Sequence, residues 1–326
     1  MKKIFIILLF LLISGRQFVM GQFVILTAPI FQGVYQRDMT NYAYIPIVGQ
    51  VAGPVGLSYK IECTTKRLDQ NGNAITNSES TDLITDNAPK GIFNGSIYRL
   101  KGWYSVEIKT TTLTSGGSSS FSTYTKCGVG DVFIIAGQSN GQGVNTSSVP
   151  DGTTTPEWVV SVNQDWQCRR EFEPRPTLSK ISGYDKIGPA GYNSWCYGIL
   201  GKHISDNNQG MPVAFFNTCL GGSSVKNWSV SSDGFATNLC CFNTGQVCDG
   251  YNVGTSQDTP YYEGQPYLTF KNTLNWYVPL FGVRAVLWHQ GEADAQNPNP
   301  NIALPNVLTC IRGECPTRQM RKQKLE

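Results

Sequence analysis

Five apolar residues, Val132-Phe-Ile-Ile-Ala136, run straight into Gly137-Gln-Ser-Asn-Gly141. A short, wholly apolar run closed by a glycine turn reads as a strand buried on both faces. Strands of that kind belong to parallel sheets, whose carboxyl edge carries the reactive groups of open α/β folds. Ser139 is then expected at a tight turn on that edge, exposed. Two further runs, Pro212–Asn217 and Val283–Trp288, have the same buried-strand character. Helical spacing separates them: Trp195, Ile199, Leu200 and Ile204 in one segment, Tyr267, Phe270, Leu274 and Tyr277 in another. Strands alternating with helices predict a parallel sheet with crossover helices from residue 129 onward. Two long insertions, about 144–190 and 223–262, are rich in Ser, Gly, Thr, Asn and Cys and are expected over the carboxyl edge.

The front of the chain reads differently. Residues 22–128 hold the β-rich runs Val24–Leu26, Ala43–Val48, Leu57–Cys63, Ser96–Leu100 and Trp103–Thr110, punctuated by turn sequences such as Asp69-Gln-Asn-Gly-Asn73. In Trp103–Lys109 apolar and polar residues alternate, the period of a strand with one buried face. Short strands at this spacing predict a small β-sandwich of the immunoglobulin or fibronectin kind. Thr114–Ser120 reads as a hairpin tip, because strand pattern resumes at Phe121.

Met1-Lys-Lys3 and the apolar run Ile4–Ile13 have the layout of a secretory signal, expected to be cleaved after Gly21. That run is too short to span a bilayer. No second one of spanning length follows, so no membrane association is expected after cleavage, and the mature chain is expected to be secreted or otherwise extracytoplasmic. The net charge is only +3, and no basic stripe precedes the tail, which argues against nucleic acid as a partner. Ten cysteines in an exported chain suggest disulfides, with one bridge expected among Cys168, Cys196, Cys240, Cys241 and Cys248. With no C-x₂-C pair and only His203 and His289, no metal or other cofactor is expected.

Each strand of the second half ends in a polar cluster: Gly137-Gln-Ser-Asn-Gly141, Asn217-Thr-Cys-Leu-Gly-Gly-Ser-Ser224 and Trp288-His-Gln-Gly-Glu-Ala-Asp294. The carboxyl ends of a parallel sheet share one edge, so the three are expected to converge. Acyl transfer needs a hydroxyl nucleophile and donors aimed at the developing oxyanion. Ser139 offers the hydroxyl. Its own N–H, the N–H of Gly222 and the side-chain amide of Gln290 offer donors, and glycine at 222 permits close backbone approach. Taken singly, Glu292 and Asp294 read as solvated loop carboxylates or as a cap for a following helix.

Together, the G-Q-S-N turn, the Gly221-Gly-Ser223…Trp228 block and the Trp288-His-Gln-Gly-Glu-Ala-Asp294 block resemble the sialate O-acetylesterase / acetylxylan esterase family of SGNH (GDSL-like) hydrolases. The similarity covers about 130–295. Gln32-Gly-Val-Tyr-Gln-Arg37 and Gly102-Trp-Tyr104 resemble the β-sandwich that precedes the catalytic domain in many relatives. The resemblance implies a flavodoxin-like α/β domain over 129–326 after the β-sandwich of 22–128. It implies an acetylated carbohydrate as substrate and no metal. It also implies Ser139 as nucleophile, Gly222 and Gln290 as oxyanion donors and Glu292 as acid partner of the base. That base is a histidine in a downstream Asp-x-x-His block, which this sequence lacks, so the esterase domain is expected to be incomplete at its carboxyl end and its activity reduced. His289 is expected to point away from Gln290, on the other face of the strand. The rival expectation is a non-catalytic secreted carbohydrate-binding protein using the β-sandwich and the aromatic residues Trp158, Trp166 and Trp228 of the insertions.

Overall fold

The computed structural model describes residues 23–53, 56–69, 71–113, 118–143, 155–162, 175–183, 185–233 and 264–295. Its spine is one long strand. The front half supplies β1 (Phe23–Ala28), β2 (Gly33–Gln36), β3 (Tyr42–Ala52), β4 (Ser58–Leu68), β5 (Ala74–Pro89), β6 (Ile92–Leu100) and β7 (Gly102–Leu113). Strand β8 (Ser120–Gly137) follows and runs without a break through the boundary expected at 128/129. Its first part pairs antiparallel with β7, Trp103 opposite Gly128 and Thr111 opposite Ser120. Its last part pairs in parallel with β11 (Val213–Asn217) on one side and β12 (Ala285–His289) on the other. Buried residues fill β8 from Cys127 to Gly137, as its two-sided apolar sequence requires.

Strands β1, β3 and β6 form a separate three-stranded antiparallel sheet. Its inward residues Ile45, Ile47, Phe93 and Ile97 share one continuous core with Ile61, Val106 and Ile108 of β4 and β7 and with Ile134 and Phe215 of the parallel strands. Strand β5 is polar and largely exposed, with β4 as its partner through the Asp69 turn. There the Asp69 carboxylate accepts the N–H groups of Asn71 and Asn73 at 2.8 and 2.9 Å, the local bonding that makes Asx sequences turn formers.

Strand β9 (Val159–Val162) pairs in parallel with β11, and β10 (Leu178–Lys180) closes that edge antiparallel. The spatial order β10-β9-β11-β8 then continues to β12, so the sheet is mixed rather than purely parallel. Helices flank it: α1 (Ser139–Gln142), α2 (Tyr197–Asp206), α3 (Val225–Ser232), α4 (Tyr267–Asn272), α5 (Val278–Phe281) and α6 (Glu292–Ala295). A π-helical turn, Thr273–Tyr277, joins α4 to α5. No helix among the described residues is long and apolar enough to cross a membrane.

Over Asp131–Gly137, strand β8 has two parallel neighbours, β11 and β12, which both follow it in sequence and lie on opposite sides of it. The connections therefore leave β8 in opposite directions, which opens a crevice beyond its carboxyl end. Residue 138 begins at that crevice.

Candidate functional site

Gly137 is where the spine stops. Its φ of +134° is costly for a residue bearing a Cβ, and a methyl group there would lie 1.8 Å from the His289 carbonyl oxygen. The missing side chain lets the ends of β8 and β12 meet, and Gln138 N–H donates to that carbonyl at 3.0 Å. Gly137→Ala is therefore expected to drive β12 and the following turn away from Ser139. It should destabilise the fold by at least about 1–3 kcal/mol, measured as the shift of a denaturant midpoint.

Ser139 begins α1 and is exposed, with Gly141 and Gln142 buried beneath it. The second strand end reaches the same place. Leu220 N–H donates to Gly137 O at 2.9 Å, and Gly221 N–H donates to Gln142 Oε1 at 2.8 Å. A methyl group on Gly221 would sit 3.5 Å from Ser139 Cβ, so the Gly221-Gly222 turn packs against the serine. Gly222 follows with a φ of +74°. Among the described residues, the backbone N–H groups of Ser139 and Gly222 donate to no acceptor, and the Ser139 hydroxyl has no partner. Beneath the turn, Asn217 Nδ2 and Tyr197 OH both donate to Gly141 O, at 2.9 and 2.7 Å.

The third strand end joins from the other side. Gln290 turns inward, and its Nε2 lies 2.7 Å from Ser223 O, 2.9 Å from Gln138 Oε1 and 2.9 Å from Asp294 Oδ2. Its amide hydrogens thus face protein acceptors rather than open space. His289 points the opposite way, as strand alternation requires, and is exposed. Its Nε2 lies 2.9 Å from Glu292 Oε1, and Glu292 also accepts from Asn140 Nδ2. Partial burial raises the affinity of Glu292 for a proton, but the bonds from His289 and Asn140 outweigh it and hold the carboxyl below its ordinary value. Asp294 is not a solvated loop carboxylate. It accepts from Gln290 and from Val225 N–H at the start of α3, at 3.0 Å.

The structure thus brings Ser139, Gly222, Gln290 and Glu292 to one edge. Gln138, Asn140 and Asp294, which lie within the three sequence blocks, and Gln142, just after the first, share it without having been assigned a role at the site from the sequence. His203 is exposed on α2. Trp158 and Trp228, expected as exposed glycan contacts in the rival reading, are 3% and 5% exposed. Their indole N–H groups donate to Ser205 Oγ at 2.8 Å and Ser223 Oγ at 3.0 Å, so burial and an internal partner remove both rings from solvent. Trp166, residues 1–21, where a signal is expected, and the chain after 295 lie outside the described residues. So do Cys168, Cys240, Cys241 and Cys248, while Cys196 is described and unbridged.

Fold and site together define an α/β protein whose polar centre sits at the switch point of its sheet, on the serine turn. Residues 129–306 match the family described as "Carbohydrate esterase, sialic acid-specific acetylesterase". The chain belongs to that family, the one that the three blocks resemble. No curated protein matches the chain. Among solved structures it is similar to one described as a novel carbohydrate acetylesterase from Xanthomonas citri, at 16% identity and a TM-score of 0.40. The likeness covers 89% of this chain and 58% of that one, so the chain spans less than two thirds of that structure's length.

Proposed function

We propose that this protein is a serine esterase that removes acetyl groups from sugar hydroxyls, built as a flavodoxin-like SGNH domain behind an amino-terminal β-sandwich. In this reading Ser139 Oγ attacks the acetyl carbonyl carbon. The C–O bond to the sugar breaks, the serine proton passes to the leaving sugar oxygen, and an acetyl-serine remains until water releases acetate. The oxyanion formed in each step is held by the N–H groups of Ser139 and Gly222, the electrostatic contribution on which acyl transfer chiefly depends. Glu292, held ionised by its partners, orients His289 at the exposed rim of the same turn. An exported location, from the leader expected at 1–21, is part of the proposal.

The observation that carries this reading is an exposed hydroxyl beside two backbone N–H groups, all three without a partner among the described residues, on loops packed against each other. Family membership supports the substrate class. The test is acetate release from acetyl-xylan and from O-acetylated sialic acid, alongside labelling by a serine-directed phosphonate. Release from either substrate with label on Ser139 is the expected result. Absence of both overturns the proposal, and glycan binding without turnover would favour the binding-protein reading instead.

A further inference from the structure

A primary amide has two hydrogens. Gln290 Nε2 faces three oxygens, from Ser223, Gln138 and Asp294, all within 2.9 Å. Its donor capacity is therefore consumed inside the protein, and it ties the three strand ends to one another. Gln138 Oε1 works the same junction from the other side, accepting from Gln290 Nε2 and from Ala293 N–H at 3.0 Å.

Asp294 anchors this knot. Its Oδ2 holds Gln290, and both of its oxygens reach Val225 N–H, at 3.0 and 3.2 Å. Val225 opens α3, and the helix's own capping box does not serve that N–H, because Ser224 and Asn227 are bonded to each other. A carboxylate at a helix N-terminus is favoured by the unpaired N–H groups and the dipole there. Here the carboxylate comes from α6, 69 residues further along the chain. Ser223, between this helix start and Gly222, is fixed in addition by Ser223 Oγ donating to Leu220 O at 2.7 Å and by Trp228 Nε1. Everything on the carboxyl side of Gly222 is thus clamped, and the clamp closes on Gln138, the neighbour of Ser139.

We infer that Asp294 is a positioning residue: through Gln290 and Val225 it sets the Gly222 N–H against Ser139, and Gln290 is a brace rather than an oxyanion donor. The inference rests on the esterase reading. Removing the Asp294 carboxylate strands Val225 N–H and takes away one of the three acceptors that fix where Gln290 sits between Ser223 O and Gln138 Oε1. A displacement of about 1 Å at a reacting centre costs on the order of 10² in rate.

The experiment compares Asp294→Ala and Asp294→Asn with the unaltered chain, with turnover counted per Ser139 titrated by the phosphonate. This normalisation removes any loss that merely reflects unfolded protein. Asp294→Ala is expected to lower kcat by about 10²-fold with KM little changed. Asp294→Asn keeps one acceptor oxygen and is expected to recover part of that loss. Should the alanine variant fail to fold, the asparagine variant must still show a reduced kcat per titrated site. Unchanged kcat per site in the variants that fold overturns the inference while leaving the esterase intact. An unaltered chain that neither releases acetate nor takes the label overturns the esterase reading, and this inference with it.

Discussion

Ser139→Ala is expected to abolish labelling by the serine-directed phosphonate and to lower acetate release. About 10⁶-fold, the loss when a complete triad is deprived of its nucleophile, is the upper bound, because triad losses do not add and this sequence lacks the Asp-x-x-His base. The same variant should unfold at the temperature of the unaltered chain, within about 0.5 kcal/mol. The two expectations separate because the Ser139 side chain is exposed and its hydroxyl bonds nothing among the described residues. Truncating it removes no packing and strands no buried partner. The turn around it is held by other groups: Gly141 O by Asn217 and Tyr197, and the Gln142 side chain by Gly221 and Ala190. An assay of acetate release beside a thermal melt checks both halves. A variant that still takes the phosphonate label while releasing acetate at the unaltered rate would mean that the acyl group is carried elsewhere.

How much of this was legible beforehand follows from how many residues share each signal. β8 and β11 announce themselves because each carries an unbroken apolar run covered on both faces, whereas β12, read from its sequence as equally buried, has Ala285, Val286 and His289 exposed. The helix around Trp195 and the one around Tyr267 likewise show their period. β5 was not visible. Its sequence, Ala74–Pro89, is full of Asn, Ser, Thr and Asp, and an edge strand exposed to water has little apolar patterning to display. β9 was hidden for a different reason: Val159–Val162 is only four residues long and lies inside a polar stretch read as an insertion. The break expected near residue 128 marks a change of pairing, not an end of strand, since β8 passes through it and exchanges antiparallel for parallel neighbours. At the site, glycine and serine spacing revealed where the three loops would meet. The direction in which Gln290 points was not readable, because it is decided by Ser223, Gln138 and Asp294, which reach it only once the sheet has formed.

Where the parallel part of β8 begins, Asp131→Ala is expected to cost about 3–5 kcal/mol of stability, the usual penalty for removing one member of a buried ion pair. Asp131 is 4% exposed and lies where β2, β8 and β12 come together. Its carboxylate accepts from Arg37 Nε and Nη2 at 3.0 and 2.9 Å, from Arg284 Nε at 2.9 Å and from Gln36 Nε2 at 3.1 Å. Arg37 and Gln36 come from the front of the chain, and Arg284 from just before β12, so one carboxylate joins three segments far apart in sequence. Alanine would leave two guanidinium groups facing each other across a cavity. Because both keep some contact with water, the lower end of the range is the better expectation. The same group sets a pH dependence. Burial alone would raise the Asp131 pKa, but the bonds from Arg37, Gln36 and Arg284 outweigh it and depress it below the ordinary value. A carboxyl depressed in the folded state contributes its full stability above the unfolded pKa, near about 4, and loses it as the pH falls through the folded value. Denaturant midpoints of the unaltered chain should therefore drop below about pH 4, and Asp131→Asn should flatten that part of the profile while lowering stability at neutral pH. An acid limb equally steep in the asparagine variant would assign the proton uptake to other carboxylates and leave Asp131 as a packing residue alone.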